Sequence, residues 1–250
     1  MTRKILFSNI GYAKGIDGTL WQHISRAGRH LYCDVPTQML SLGQLKAIID
    51  LEQPDLCCLV EIEQGSFHSA YMNQINALMD DDYVYFDIAN KYGKNDWRQY
   101  MPFSRGRSNA FLSKQELQFE RLYFSHGTKR LVYKVVLPNG VHVFFAHFSL
   151  DSAVRTRQFT EVRSLIEQCG GEAILLADFN IFYGFSELDP LLKGSDLCIA
   201  SKEDQVTFTF HTYQLALDLC ICTKSLQERL VLKVIDQPFS DHQALLIEIA

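Results

Sequence analysis

The chain has 250 residues, of which 47% are hydrophobic, and its formal net charge at pH 7 is -5. This length and apolar content suit one domain, which we expect to span residues 1–250. The negative charge argues against a protein that binds nucleic acid over its whole surface, because non-specific DNA affinity comes mainly from Lys and Arg side chains that neutralise phosphates.

The seven cysteines are an odd number and do not indicate a disulfide framework. The first apolar stretch is interrupted by Ser8-Asn9 and ends at Gly11, so it is too short and too polar for a signal peptide. No apolar run approaches the ~18 residues of a membrane span. We therefore expect reduced thiols in a monomeric, cytoplasmic protein.

The N-terminal half is expected to contain five strands, two helices and one long loop. Residues 16–36 form an aromatic and basic stretch that we expect to be a loop, and a long loop in a compact domain is often functional. Thr37 is expected to cap a helix that continues to about Asp50, and a second helix is expected from about Ser69 to Met79. Apolar runs predict strands at Lys4 to Ile10, Leu56 to Val60, Tyr83 to Ile88, Ala110 to Ser113 and Leu117 to Phe124.

The C-terminal half is expected to contain a hairpin, one helix and further strands. Asn139-Gly140 is a strong signal for a tight turn between two strands, and Gly170-Gly171 is typical of the end of a helix over Ser152 to Gln168. Many strands with few helices indicate an α+β fold, in which two packed, mostly antiparallel β-sheets are flanked by helices in a four-layer α/β/β/α sandwich. The predicted strands are Leu131 to Leu137, Val141 to His147, Ala173 to Ala177, Ala216 to Cys222, Leu230 to Ile235 and Ala244 to Ile249.

Asp241 and His242 stand side by side at the start of the last predicted strand. A strand that only had to pack gains nothing from them, because a buried polar group without a partner costs about 1–3 kcal/mol. A set of acids, amides and imidazoles at strand ends is typical of a metal-assisted phosphoester hydrolase. Such residues occur at or beside the ends of other apolar runs, namely Asn9, Glu61, Asn109, His147, Asp178, Asn180 and Asp218.

Glu61 directly follows the apolar run Leu56 to Val60, so its carboxylate is expected at a strand end, where loops form a cleft. A divalent cation such as Mg²⁺ takes one or two carboxylates, with water and substrate phosphate as its remaining ligands. We therefore interpret Glu61 as a metal ligand. The alternative is a solvated acid at a strand end, and Glu63 fits that alternative equally well.

Asp178 and Asn180 end another apolar run. In an extended chain these two residues project to the same side, where a carboxylate and an amide can hold a water and a phosphate oxygen together. An Asx turn that closes the strand would explain the same pair.

His147 ends one apolar run, and Asp218 lies inside another. A buried Asp needs a partner, and orienting an imidazole is a usual role for it, so we pair Asp218 with His242. For His147 considered alone, a core histidine with satisfied ring nitrogens is the simpler interpretation.

Together these motifs resemble those of the endonuclease/exonuclease/phosphatase superfamily, which includes apurinic endonucleases, deoxyribonucleases, sphingomyelinases and inositol polyphosphate 5-phosphatases. Seven short motifs occur in the family's order from residue 9 to residue 242. They are Ser8-Asn9-Ile10, Val60-Glu61, Ser108-Asn109 to Lys114, Ala146-His147-Phe148, Ala177-Asp178-Phe179-Asn180, Leu217-Asp218-Leu219 and Ser240-Asp241-His242.

The resemblance implies that Asn9, Glu61 and Asp241 bind one or two Mg²⁺ or Mn²⁺ ions. It also implies that Asp178 positions or deprotonates water and that His242, held by Asp218, stabilises charge on the phosphoryl oxygens. Asn180 and His147 would contact the phosphate. The catalytic set that the resemblance implies is Asp178, Asn180, His147, His242, Asp218 and Asn109.

We expect a phosphoester substrate, and a phosphodiesterase or phosphatase acting on a small or lipid-linked ester is the leading hypothesis. The alternatives are a DNA-repair or general nuclease and a catalytically inactive binding protein with the same fold. Arginines around the cleft would suit phosphate, because each guanidinium donates two hydrogen bonds. The candidates are Arg26, Arg29, Arg98, Arg105, Arg107, Arg155 and Arg157.

Overall fold

The strands of this protein form two sheets that pack against each other around one core. The computed structural model describes residues 2–93 and 96–250. Its strands are β1 (Arg3–Asn9), β2 (Leu56–Glu63), β3 (Tyr85–Asn90), β4 (Arg107–Ser113), β5 (Gln118–Tyr123), β6 (Leu131–Val136), β7 (His142–His147), β8 (Ala173–Asp178), β9 (Leu197–Ile199), β10 (Phe208–Phe210), β11 (Tyr213–Leu215), β12 (Asp218–Thr223), β13 (Leu230–Ile235) and β14 (Ala244–Ile249). The helices are α1 (Leu20–Ser25), α2 (Val35–Glu52), α3 (Ser152–Cys169) and α4 (Asp189–Leu192).

Each sheet has six strands and contains one parallel pair. Sheet I has the order β13-β14-β1-β2-β4-β3, and sheet II has the order β5-β6-β7-β8-β12-β9. Strands β1 and β2 run parallel in sheet I, and β7 and β8 run parallel in sheet II, whereas the other neighbouring strands are antiparallel. A separate two-stranded hairpin joins β10 and β11.

The layers follow from the period of two along each strand. Ile5 and Phe7 of β1 lie in the core between the sheets, whereas Leu6 faces the apolar side of α2. On the other side of the molecule, Phe159 of α3 packs on the outer face of sheet II. The predicted four-layer sandwich is therefore confirmed. Within the described residues, no helix has the length and apolar character needed to cross a bilayer.

Most predicted strands are confirmed, and the two last strands have the expected bounds. The Asn139-Gly140 turn joins the antiparallel strands β6 and β7, as expected. The loop expected over residues 16–36 is interrupted by α1, whose first turn is capped by Thr19. Helix α2 begins earlier than expected, because the Asp34 side chain, and not Thr37, accepts the capping hydrogen bond.

The helix predicted over Ser69 to Met79 is wrong. That segment contains only 3₁₀ turns at its two ends, and Ala70 and Tyr71 between them have positive φ values of 50° and 60°. The buried Gln74 side chain donates to Tyr12 O at 2.9 Å and accepts from Glu63 N at 3.0 Å. These tertiary hydrogen bonds hold the segment in a shape that a continuous helix cannot adopt.

Candidate active site

The predicted site residues meet where the ends of the two parallel pairs face each other. Asn9 is the last residue of β1, and Asp178 is the last residue of β8. Asn9 Nδ2 donates to Asp178 Oδ2 at 3.0 Å, and this buried hydrogen bond joins sheet I to sheet II. His147, at the end of β7, is the register partner of Asp178. The two sheets thus contribute separate halves of one site.

Glu61 reaches this site through a β-bulge. The pairing of β2 with β4 shifts between Val60 and Ile62, and Glu61 between them has a φ of 55°, which is uncommon for a residue with a side chain. The bulge places Glu61 Oε1 3.6 Å from His147 Nδ1. Glu61 therefore lies inside an irregular strand, and the expectation that it follows the strand is wrong.

Asp178 is at the centre of the cluster. Its Oδ2 atom lies 3.0 Å from His147 Nε2 and 3.8 Å from His242 Nε2. Burial would raise the pKa of this carboxyl, but His147 and His242 outweigh that effect and lower the pKa well below its usual range. Asp178 is consequently an anion at neutral pH.

Asn180 adopts a left-handed conformation, with a φ of 53°. Its backbone N donates to Asp178 Oδ1 at 3.1 Å, and its Nδ2 donates to Phe148 O at 3.0 Å. The Asx turn is therefore present, and the expectation of an extended segment is wrong. The turn keeps the buried Asn180 amide beside Asp178.

The predicted pair of Asp218 and His242 is confirmed. His242 Nδ1 and Asp218 Oδ2 are 2.7 Å apart, and both side chains are buried. Burial alone would lower the pKa of His242, but the carboxylates of Asp218 and Asp178 outweigh it and raise the pKa to about 10. His242 is therefore a cation at neutral pH.

His147 differs from His242 in its charge. Burial, helped by the charge of Lys129, lowers its pKa to about 4. Its Nε2 atom contacts both Asp178 and the Lys129 amine. His147 is therefore a neutral ring beside the Asp178 carboxylate and the Lys129 amine. It differs from a core histidine whose two nitrogens are both satisfied, because its Nδ1 atom has no hydrogen-bond partner within the described chain.

Asp241 shares a small cavity with Glu61. Both acids line a cavity of about 60 Å³, together with Lys14, His23 and His30. Two carboxylates open to one small space fit a divalent cation, whose remaining ligands would be water and phosphate oxygens. The His23 Nε2 atom, buried and without a partner among the described residues, adds an unused donor or acceptor to this part of the structure.

Asn9 and Asn109 occupy more constrained positions. Asn9 uses Nδ2 for Asp178, and its Oδ1 accepts from Gly11 N at 3.2 Å, so one lone pair of that oxygen is already engaged. Asn109 is buried in β4 opposite Val60, and its Oδ1 has no hydrogen-bond partner in the described part of the chain. A buried amide oxygen without a partner is costly, which is typical of a functional position.

Sequence reasoning missed four residues that surround Glu61. Lys91 Nζ lies 3.9 Å from Glu61 Oε1 and bonds the Tyr12 hydroxyl. Burial, together with Lys129 and Arg107, lowers the pKa of Lys91 to about 7, although Glu61 opposes this effect. In the sequence, the one feature that could have identified these four residues is their position near strand ends. The missed residues are Tyr12 and Lys14 after β1, Lys91 after β3 and Lys129 just before β6.

The predicted arginines lie in different environments. Arg98 and Arg107 line a cavity that also contains Glu61. Arg155 is buried, bonds the Glu187 carboxylate and donates to Ser149 O at 3.0 Å, so it supports the chain after His147 and does not face the cleft. Its long side chain is satisfied entirely within the protein.

Comparisons with known proteins bear on the family and the fold of this chain. The model of the Endonuclease/Exonuclease/phosphatase family matches residues 38–242. No curated protein matches the sequence closely enough to count as a relative. Among solved structures, humanized D. rerio TDP2 with 14 mutations has a TM-score of 0.67 at 15% identity, over 100% of this chain and 99% of that chain.

Two further solved structures show the same fold. ANGEL2, a 2′,3′-cyclic phosphatase, has a TM-score of 0.67 at 13% identity, over 99% of this chain and 95% of that chain. An endonuclease/exonuclease/phosphatase family protein from Bacteroides thetaiotaomicron has a TM-score of 0.66 at 13% identity, over 100% and 97% of the two chains. With the family model matched from α2 to His242, this chain belongs to the Endonuclease/Exonuclease/phosphatase family.

Proposed function

We propose that this protein is a divalent-metal-dependent hydrolase of phosphoester bonds, acting through in-line attack of water. The observation that carries this proposal is the set of contacts to Asp178 Oδ2. This one oxygen lies 3.0 Å from Asn9 Nδ2, 3.0 Å from His147 Nε2 and 3.8 Å from His242 Nε2. An anion held by an amide and two imidazoles next to further carboxylates suits phosphoryl transfer to water.

Glu61 and Asp241 would hold the cation, with the Asn9 amide oxygen beside them. A bound Mg²⁺ or Mn²⁺ supplies Lewis acidity that withdraws charge from the phosphoryl oxygens. The low pKa of Glu61, which His147 and Lys91 depress against the effect of burial, keeps its carboxylate charged at neutral pH. This charge state is the one that a cation requires.

Asp178 would orient the attacking water and accept its proton. Because its pKa is well below the usual range, Asp178 is a weak base, so orientation of the water is its larger contribution. His242, protonated and fixed by Asp218, would donate to a phosphoryl oxygen as negative charge develops there. His147, Asn180 and Asn109 would complete the set of polar groups around the phosphate.

The direct test is hydrolysis of bis-p-nitrophenyl phosphate with and without added metal. We expect turnover with Mg²⁺ or Mn²⁺, none in excess chelator, and recovery when metal is restored. Full activity in chelator would refute the metal requirement. His242→Ala should lose most turnover, and Lys202→Gln, at an exposed position away from the site, is the matched control.

The three solved neighbours are described as a TDP2, a 2′,3′-cyclic phosphatase and a family protein, so the fold alone does not select the ester. A nuclease and an inactive binding protein stay as alternatives. An inactive protein would bind phosphoesters without releasing nitrophenol. A single domain over residues 1–250, a monomeric state and a cytoplasmic location also remain our predictions.

A further inference from the structure

A cavity of about 620 Å³ opens beside Glu61 and is lined mainly by basic side chains. We call it the basic chamber and define it by Tyr12, Lys14, Lys91, Arg107 and Lys129. Glu61 is the single acid among the described residues that line it. In a protein with 29 acidic and 24 basic residues, this local excess of positive charge is opposite in sign to the whole chain.

The Tyr12 ring is the centre of the basic chamber. Lys14 Nζ, Lys91 Nζ and Arg107 Cζ lie 5.0, 5.2 and 5.4 Å from the centroid of this ring. The Tyr12 hydroxyl also bonds the Lys91 amine. A ring face attracts cations, but it carries no net charge, so the Tyr12 ring does not neutralise the basic groups around it.

Glu61 and Glu63 act on Arg107, and Glu61 and Asp241 act on Lys14, so these two basic groups share the Glu61 carboxylate. Lys91 Nζ is 3.9 Å from Glu61 Oε1, and that carboxylate is also the proposed metal ligand. The Arg107 Nε atom is buried and has no hydrogen-bond partner among the described residues. A buried guanidinium nitrogen without a partner is expensive, and an anion entering the chamber would satisfy it.

The basic chamber and the site of hydrolysis are contiguous. Glu61 lines the chamber, and its Oε1 atom lies 3.6 Å from His147 Nδ1. The Lys129 amine lines the chamber and contacts His147 Nε2. An anion bound near Arg107 and Lys91 would therefore lie next to the scissile phosphate. One small molecule could carry both groups.

We propose that the basic chamber binds a second phosphate group of the substrate, so that the preferred substrate is a small phosphoester that carries a phosphomonoester near the scissile bond. This inference rests on the proposed function, because it names the substrate class of the same site. A polynucleotide is disfavoured, since the positive charge is confined to one chamber in an otherwise acidic chain.

Hydrolysis of a matched pair of esters tests this proposal. Thymidine 5′-(p-nitrophenyl phosphate) and its 3′-phosphorylated form differ only in the additional phosphate. With Mn²⁺, we expect kcat/KM about tenfold or more higher for the 3′-phosphorylated ester, consistent with charge-assisted hydrogen bonds. Equal kcat/KM values for the two esters in the wild type would overturn the proposal.

Arg107→Gln should remove this preference, so that the kcat/KM values of the two esters become equal. Lys202→Gln should keep the preference, and melting temperatures check that both variants fold. Lys91→Gln provides a second variant within the basic chamber. A preference that survives both Arg107→Gln and Lys91→Gln in folded protein would also overturn the proposal.

Binding measured without turnover separates this inference from the proposed function. In chelator, isothermal titration calorimetry should show thymidine 3′,5′-bisphosphate binding about tenfold or more tightly than thymidine 5′-monophosphate, with the difference lost in Arg107→Gln. If the protein shows this difference in binding but hydrolyses neither ester, the proposed hydrolase function is refuted and the proposed role of the basic chamber still holds. Tighter binding of a 12-residue oligothymidylate, weakened equally by Arg107→Gln, would instead assign the chamber to nucleic acid.

Discussion

Asp218→Asn tests the role of His242 most directly. Asp218 Oδ2 lies 2.7 Å from His242 Nδ1, and both groups are buried, so the carboxylate acts on the ring with little screening by solvent. Asparagine preserves the size of the side chain and an oxygen that can accept a hydrogen bond, but it removes the negative charge. The substitution therefore changes the pKa of His242 more than its position.

The expected effect follows from the pKa of His242, which is about 10 in the protein and 6.5 for an ordinary histidine. Without the Asp218 charge, burial is opposed mainly by the more distant Asp178 carboxylate and should return this pKa to about 6.5. At pH 8 only about 3% of the ring is then protonated, so we expect kcat/KM to fall about 30-fold, whereas at pH 6 it should fall less than about twofold.

The assay is hydrolysis of bis-p-nitrophenyl phosphate between pH 6 and pH 9.5 at saturating Mn²⁺. The wild type should retain the His242 contribution across this range, and Asp218→Asn should lose activity about tenfold per pH unit above its new pKa. Ser201→Ala is the control, because it removes a 2.9 Å hydrogen bond to Cys220 of the same strand without touching His242. A variant with the wild-type pH profile would refute the reasoning.

The same shift predicts a pH dependence of stability. Because the pKa of His242 is higher in the folded state than in the unfolded state, its stabilising contribution is complete below pH 6.5 and is lost as the pH rises towards 10. Between pH 6.5 and 9.5 this loss is at most about 4 kcal/mol. Urea unfolding should show the decline in the wild type and not in Asp218→Asn.

Four further substitutions test other parts of the structure. Asp178→Asn should lower kcat about 100-fold or more at every pH in protein that circular dichroism shows to be folded, and wild-type turnover would exclude this residue from the mechanism. Glu61→Gln should raise the Mn²⁺ concentration for half-maximal activity about tenfold or more, and an unchanged midpoint in a metal titration would contradict its role. Burial raises the pKa of Glu63 to about 7 from 4.5, so its stabilising contribution is present below pH 4.5 and lost as the pH rises through 7. Glu63→Gln should therefore be more stable than the wild type at pH 8, by up to about 3 kcal/mol in urea unfolding, and equal stability would contradict this. Arg155→Met should cost about 3–5 kcal/mol in the same assay, because it leaves the Glu187 carboxylate without its buried partner, and a loss below 1 kcal/mol would argue against a structural role.

The sequence alone predicted the sheets well because strand patterns are local. Alternation or continuous apolar character over several residues identified most strands, and polar residues at the ends of some of these runs marked the site. The apolar spacing from Ser69 to Met79 predicts a helix, whereas the left-handed Ala70 and the tertiary hydrogen bonds of Gln74 set the shape of this segment. Periodicity carries no information about such distant partners.

The basic chamber could not be predicted for a similar reason. Lys91 and Lys129 are isolated lysines in connecting segments, where a solvated charge is the ordinary interpretation. The strand order of sheet I brings the end of β3, with Lys91, towards Glu61 of β2, and the packing of sheet II against sheet I brings Lys129 there. The motifs identified the acids, amides and imidazoles of the site, whereas the cations that set its charge balance came from tertiary structure.

The division of the site between two sheets explains why so many of its polar groups are buried. In each sheet, the parallel pair of strands ends where the two sheets face each other. Glu61 of β2 therefore lies close to His147 of β7, and Asn9 of β1 lies close to Asp178 of β8. Closing the sandwich over its apolar core removes these groups from water whether or not they are fully paired. The unpaired Asn109 and His147 atoms are then a cost of folding that a bound phosphate and cation would offset. Packing energy from the core between the sheets thus holds the charged groups together before any substrate arrives, which is the preorganisation that electrostatic catalysis requires.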